Sequence, residues 1–211
     1  MQIGVYEFPD INASQEDGFV AAGGDLLPAT MMDAYQHGLF PWHDSPYGPC
    51  WYSPNPRMVL YPEDVHIQKS MRPYLNGKRF TFKINTAFED VLDACANVPR
   101  HDQAGTWIWD DYREAMITLH EKGVAISGET WENDRLVGGL YGLFINGILY
   151  GESMFSNVSN ASKYAFIKTV QSLQNLRLVD CQVPTNHLKQ LGANEISREA
   201  FLAIIRNVNV G

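Results

Sequence analysis

Hydrophobic and polar positions follow two regimes that meet near residue 60. Beyond it the pattern is periodic. Phe80, Phe82 and Ile84 alternate with Thr81 and Lys83, which predicts a half-buried strand over 79–84. Longer apolar runs at 124–131, 135–145 and 148–155 are separated by Glu132-Asn133-Asp134 and by Asn146-Gly147, and so predict an antiparallel meander. Asn-Gly is a strong hairpin signal because both residues tolerate positive φ. Between these strands lie helical segments. A helix over 66–75 is broken at Pro73. Thr86 with Glu89 three residues on reads as a capping box opening a helix to about residue 97. A second helix over 111–122 stops at Gly123, and Asn160 caps a third, to about residue 175. A strand over 176–183 and short helices near 185–191 and 198–206 complete the pattern.

Before residue 60 no period holds. Residues 1–56 read as irregular structure around one helix over 29–37, with Asp25 as its cap, Pro28 in its first turn and Gly38 at its end. Pro41, Pro46, Pro49, Pro54, Pro56 and Pro62 forbid continuous helix or a central strand, while Trp42, Tyr47, Trp51 and Tyr52 supply a small packed core. The expected organisation is therefore a small N-terminal domain over 1–60 and a larger domain over 61–211. The fold class is α+β, with a mixed, mostly antiparallel sheet flanked by helices in the second domain. A meander followed by helix and strand resembles the core of the GNAT acyltransferase fold. The pyrophosphate loop of a coenzyme A enzyme is missing, because Arg135-Leu-Val-Gly138-Gly-Leu140 fails the pattern at its last position and lies within a strand. No cofactor is expected.

Composition narrows the class. The 211 residues are 45% hydrophobic and 12% aromatic, which excludes disorder and supports a sizeable core. No run reaches the length of a membrane span, the first residues lack the features of a signal peptide, and three cysteines without CxxC spacing point to a reducing cytoplasm. The net charge of −8 argues against a nucleic-acid partner when taken as a total. By position it says something else. Residues 1–56 hold seven acids and no Lys or Arg, whereas 65–88 hold Lys69, Arg72, Lys78, Arg79 and Lys83 and no acid. That strip is the candidate nucleic-acid contact.

Standard catalytic signatures are missing: six histidines show no metal-ligand spacing, and there is no GxSxG elbow or P-loop. Two polar intrusions into apolar strands remain. Asp180 and Gln182 stand at i and i+2 in Val179-Asp180-Cys181-Gln182-Val183, on one face of a strand, and Glu152 sits in Gly151-Glu152-Ser153-Met154-Phe155. A buried carboxylate needs a partner, and strand-end capping is the ordinary explanation. A carboxylate beside an amide has a second use, because Asp180 can accept from the Gln182 NH₂ and fix where its carbonyl points.

Gly23-Gly24-Asp25-Leu26, Ala34-Tyr35-Gln36-His37-Gly38-Leu39-Phe40-Pro41-Trp42, Trp51-Tyr52-Ser53-Pro54-Asn55-Pro56-Arg57, Gly105-Thr106-Trp107-Ile108, Gly138-Gly139-Leu140-Tyr141-Gly142, Gly151-Glu152-Ser153-Met154-Phe155-Ser156, Asn160-Ala161-Ser162-Lys163, Asp180-Cys181-Gln182 and Leu191-Gly192-Ala193 occur in order. Together they resemble the leucyl/phenylalanyl-tRNA–protein transferase family over about residues 8–205. The resemblance implies a GNAT-like second domain that uses aminoacyl-tRNA as acyl donor. Leu or Phe, and Met less well, would pass to the α-amino group of a protein beginning with Arg or Lys, marking it for N-end rule degradation. By motif it assigns catalysis to Asp180, Gln182 and Glu152. Trp42 and Trp107 fall at the terminal adenosine, Leu140, Tyr150, Met154 and Val179 at the aminoacyl pocket, and Lys69 and Arg72, within the strip that continues to Lys78, Arg79 and Lys83, at the tRNA. Tyr52, Pro73 and Leu140 depart from the family pattern. A cytoplasmic monomer without metal or membrane partner is expected.

An aminoacyl ester is already activated, so such an enzyme has to align a neutral amine, stabilise an oxyanion and return a proton to the ribose. Two other readings fit parts of the pattern: a GNAT-like aminoacyltransferase with a different acceptor, and a non-catalytic module that recognises basic N-termini.

Overall fold

The computed structural model describes residues 6–45, 47–98 and 109–208, and its first surprise is strand where prolines are dense. β1 (Phe19–Ala22), β2 (Phe40–Ser45) and β3 (Gly48–Tyr52) form an antiparallel sheet in the order β1-β3-β2, with α1 (Pro28–Gln36) between the first two strands. The expectation that prolines exclude a central strand is corrected by β3, which contains Pro49. Pro41 and Pro49 are each the second residue of their strand, where a missing N–H is tolerated. Pro49 serves as an acceptor, from Gly23 N–H at 3.0 Å.

β4 (Arg57–Leu60) leaves this sheet and enters a larger one. There follow α2 (Arg72–Asn76), β5 (Thr81–Ile84), α3 (Phe88–Ala96), α4 (Asp110–Glu121), β6 (Ala125–Glu132), β7 (Arg135–Ile145) and β8 (Ile148–Ser156). The chain closes with α5 (Ala161–Ser172), β9 (Leu178–Gln182), α6 (Asn186–Gln190), β10 (Asn194–Ile196) and α7 (Arg198–Val208). The seven-stranded sheet has the order β10-β4-β9-β8-β7-β6-β5 and is antiparallel except between β8 and β9. The protein is thus α+β, a mostly antiparallel sheet flanked by helices with a small sheet before it.

The meander forms where the turn residues dictate. Asn146 and Gly147 have φ of 49° and 79°, and Asn133 and Asp134 have φ of 49° and 59°, the left-handed pairs that a two-residue hairpin demands. Helix ends were less legible. Asp25 accepts from Leu27 N–H at 3.1 Å, but the α1 cap is Leu27. Thr86 donates to Glu129 rather than pairing with Glu89. Asn160 starts α5 through a left-handed backbone, φ 69°, with no side-chain cap. Pro73 opens α2 instead of breaking a longer helix, and a 3-10 turn, Lys69–Met71, leads into it.

Two apolar cores lie on the two faces of the large sheet. One joins α1, α3, α4, α7 and the small sheet to Val59, Tyr141, Tyr150 and Phe155. The other packs α5 against Met58, Leu140, Leu149, Val179 and Cys181. Gly138 lets α5 approach β7 this closely, since a Cβ there would stand 2.5 Å from that of Ala161.

Candidate active site

The parallel ladder between β8 and β9 has three pairs, Ile148↔Leu178, Leu149↔Val179 and Tyr150↔Asp180, and then stops. Both strands change course there. On β8 the register with β7 shifts between Tyr141↔Ser153 and Gly142↔Gly151, so Glu152 is an extra, bulged residue. One extra residue reverses the alternation, which puts Met154 on the same face as Leu149. On β9 the register with β4 shifts around Cys181, and Gln182 has φ 62°. A cavity of about 310 Å³ opens where the two strands part.

Leu140, Leu149, Met154, Phe166, Val179 and Cys181 give this cavity an apolar lining, while Glu152, Gln182, Thr185 and His187 stand among its polar residues. Trp42 reaches it from the small sheet, its ring 5.3 Å from that of Tyr52. Of the residues assigned to the pocket by motif, Leu140, Met154, Val179 and Trp42 line it. Tyr150 does not. It is next to Leu149 and so points to the other face, where its ring lies 5.2 Å from that of Tyr35. Trp107 lies outside the described residues.

Glu152 is the hub. Its Oε1 accepts from Tyr35 Oη at 2.7 Å and from Gln182 Nε2 at 2.9 Å, and its Oε2 accepts from Tyr112 Oη at 2.7 Å. Desolvation pushes its pKa up to about 7, against the pull of these three hydrogen bonds. Burial and the neighbouring Glu152 charge raise both tyrosines well above their usual value, so they remain donors. The expected pairing of Asp180 with the Gln182 side chain is therefore corrected, because Glu152 takes that amide. Asp180 receives the Gln182 backbone N–H instead, at 3.0 Å, and faces Arg57 with its whole carboxylate. The left-handed backbone at Gln182 turns the two side chains apart, which i, i+2 counting along a regular strand misses. The Gln182 side-chain carbonyl has no partner among the described residues.

Burial also raises the Cys181 thiol, which keeps it protonated. Desolvation and the nearby Lys163 lower His187 and keep it neutral at pH 7, with Nε2 buried and without a hydrogen-bond partner among the described residues. No group of His, Cys, Asp and Glu able to hold a metal occurs among the described residues, and none of their helices is long and apolar enough to cross a membrane.

The basic strip is divided. Lys69, Arg72 and Lys78 are exposed and form no ion pair among the described residues. Arg79 bonds Glu132 at 2.6 Å and lies over the Tyr74 and Phe80 rings, and Lys83 sits 4.3 Å above the Trp131 ring centroid. Arg57, Tyr35, Tyr112, Phe166 and His187 escaped sequence reasoning. A buried tyrosine hydroxyl needs a partner, and that was the available signal for Tyr35 and for Tyr112 on the apolar face of its helix.

Comparison with known proteins covers nearly the whole chain. A family model described as leucyl/phenylalanyl-tRNA protein transferase matches residues 59–206, and one for the N-terminal domain of that transferase matches 24–55. A Christiangramia forsetii protein is 48% identical over 203 residues, 94% of this chain and 96% of its own. A Syntrophus aciditrophicus protein is 46% identical over 204 residues, covering 96% and 85%. A third, from Flavobacterium johnsoniae, is 45% identical over 202 residues, covering 95% of each. All three carry the name leucyl/phenylalanyl-tRNA–protein transferase.

Proposed function

The chain belongs to the leucyl/phenylalanyl-tRNA protein transferase family, and on that premise we propose that it moves Leu or Phe, and Met less well, from aminoacyl-tRNA to proteins beginning with Arg or Lys. The product, with its new N-terminal residue, is marked for N-end rule degradation in the cytoplasm. The observation that carries this reading is the Gln182 side chain, anchored through Nε2 on Glu152 at the edge of an apolar cavity, which leaves its carbonyl for a substrate.

The aminoacyl side chain enters between Leu140, Met154, Phe166 and Val179, and Trp42 stands at the terminal adenosine, the place that the family motif also gives to Trp107. Stacking on an aromatic contributes about 1–3 kcal/mol per base and needs no sequence readout. Methionine adapts to side chains of different shape, and one methylene discriminates by only about 1–3 kcal/mol, so some Met is accepted. The acceptor's α-amine attacks the ester carbonyl carbon. The C–N bond forms, the bond to the ribose oxygen breaks, and the proton lost by nitrogen ends on that oxygen. Gln182 is too weak a base to store the proton. Its carbonyl accepts a hydrogen bond from the amine and stabilises the positive charge growing there. Glu152 fixes the Gln182 amide, and Asp180 fixes its backbone. Lys69, Arg72 and Lys78, with Arg79 and Lys83 beside them, meet the tRNA phosphates.

The test is to incubate the protein with radiolabelled Leu-tRNA and peptides starting with Arg, Lys or Ala. Label on the Arg and Lys peptides alone is expected; the absence of transfer to any peptide overturns the reading.

A further inference from the structure

Asp180 is part of the cavity wall, yet its carboxylate is fully buried. Its Oδ2 accepts from Arg57 Nη2 at 2.7 Å, and its Oδ1 accepts from Arg57 Nε at 2.8 Å and from Gln182 N at 3.0 Å. Both side chains of the pair are 0% exposed. The guanidinium is held in turn. Its Nη1 donates to the Gly38 carbonyl at 3.3 Å, and its carbon lies 4.8 Å from the Phe40 ring centroid and 4.6 Å from that of Phe201. The end of α1, β2, β4, β9 and α7 therefore meet at one buried cation.

A buried ion pair is a poor source of stability, since apolar residues of similar volume fill such a space as well or better. What this pair supplies is direction. A left-handed backbone disfavours any residue with a Cβ, and Gln182 holds one at φ 62°. The bond from Gln182 N–H to Asp180 Oδ1 is a two-residue Asx turn, which fixes the peptide plane that leads into this left-handed residue. A planar guanidinium bound at both oxygens leaves Asp180 a single rotamer from which to accept it.

We infer that Arg57 is a positioning residue for the transfer reaction: by locking Asp180 it anchors the backbone N–H from which Gln182 turns, and so aims the Gln182 side-chain carbonyl at the acceptor amine. Asp180 then works as a hydrogen-bond acceptor, and its bidentate, fully buried pairing gives it no part in carrying a proton. This rests on the reading of Gln182 as the group that receives the amine.

Two double variants separate direction from charge, since neither keeps the ion pair. Arg57→Gln/Asp180→Asn retains an acceptor for the Gln182 N–H; Arg57→Met/Asp180→Leu does not. Melting temperature, kcat and the KM for Leu-tRNA are measured for each. The Asn variant is expected to exceed the Leu variant in kcat by about tenfold or more at similar KM, the worth of one lost hydrogen bond. Equal kcat in two variants that both melt cooperatively overturns the inference, as does wild-type kcat in the Leu variant. Should either fail to melt cooperatively, Arg57→Lys decides, because it keeps the buried charge but not the two-point grip. A kcat lowered about fivefold or more at unchanged KM is expected there, and wild-type kcat overturns the role. Failure of the wild type to transfer at all would instead overturn the proposed function, and this role with it.

Discussion

Gln182 donates its side-chain amide to Glu152 Oε1 across 2.9 Å, from the last residue of β9 to a bulged residue of β8. The bond joins two strands at the point where their ladder ends, so the amide's orientation depends on the charge state of one carboxylate.

That dependence has a sign. Glu152 has its pKa raised to about 7, chiefly by desolvation. As pH falls through that value the carboxylate takes a proton, accepts less strongly from Gln182, and frees the amide to rotate. Turnover is expected to show an acidic limb near pH 7, flattened in Glu152→Gln along with a fall in kcat of about 10–100-fold. The acceptor's α-amine, with pKa ~7.7–8, produces a limb of its own. Two peptides whose amines differ in pKa distinguish them: the Glu152 limb stays in place while the amine limb moves. A limb that only follows the amine would remove Glu152 from this role.

Glu129 is the opposite case. It is fully buried, yet it accepts from Thr86 N at 2.7 Å, Ala87 N at 2.8 Å, Ser127 Oγ at 2.9 Å and Trp131 Nε1 at 3.0 Å. Burial alone would raise its pKa, but these bonds outweigh burial and lower it. A depressed carboxyl adds stability above its unfolded value of ~4.3, and that contribution disappears as pH falls through the folded value. Glu129→Gln should lower stability at pH 7 by about 1–3 kcal/mol with transfer retained, and the difference should shrink on acidification below about pH 4. Urea unfolding at several pH values measures it; a difference that does not vary with pH would mean that the charge plays no part.

The capping box foreseen at Thr86 and Glu89 shows why such detail was partly legible. Thr86 does not cap α3, whose N-cap is Ala87 without a side-chain bond; its N–H and hydroxyl donate instead to Glu129, 43 residues away on the neighbouring strand. Local pattern found the donor and could not find a long-range acceptor. The hairpins at Asn133-Asp134 and Asn146-Gly147 were readable because their chemistry is contained in two residues. β1 to β3 were not, because strands of four to six residues broken by Pro41 and Pro49 carry too few alternations to show a period. At the site, Asp180, Gln182 and Glu152 announced themselves as polar groups in apolar strands. Their connections did not, since two bulges and one left-handed residue decide them.

Phe166 lines the cavity opposite β8 and β9 and is 3% exposed. Replacing it by Leu removes ring volume from the wall of an apolar site, at about 1 kcal/mol of stability. The enlarged space should favour the bulkier donor, raising the ratio of Phe to Leu transfer by about 3–10-fold, within the range available to a change of one or two carbons. Competition between Phe-tRNA and Leu-tRNA in one reaction reads that ratio directly. An unchanged ratio would place the aminoacyl side chain elsewhere.

The basic strip makes an unequal prediction for its members. Lys69, Arg72 and Lys78 are exposed without ion pairs among the described residues, whereas Arg79 is bound to Glu132 and Lys83 is seated on Trp131. A cation free to meet a phosphate releases a counterion, and each such contact steepens the salt dependence of log K by about 0.7–0.9. Charge reversal at Lys69, Arg72 or Lys78 should therefore raise the KM for aminoacyl-tRNA several-fold and flatten its dependence on salt. Arg79→Gln should change both less, because its guanidinium already has a partner. An α-amino acyl ester of adenosine alone, which lacks the tRNA body, should show no such dependence with any variant. If reversal at Lys69 and Arg72 left KM and slope at wild-type values, the tRNA would have to approach over another face, and the −8 of the whole chain would again weigh against it.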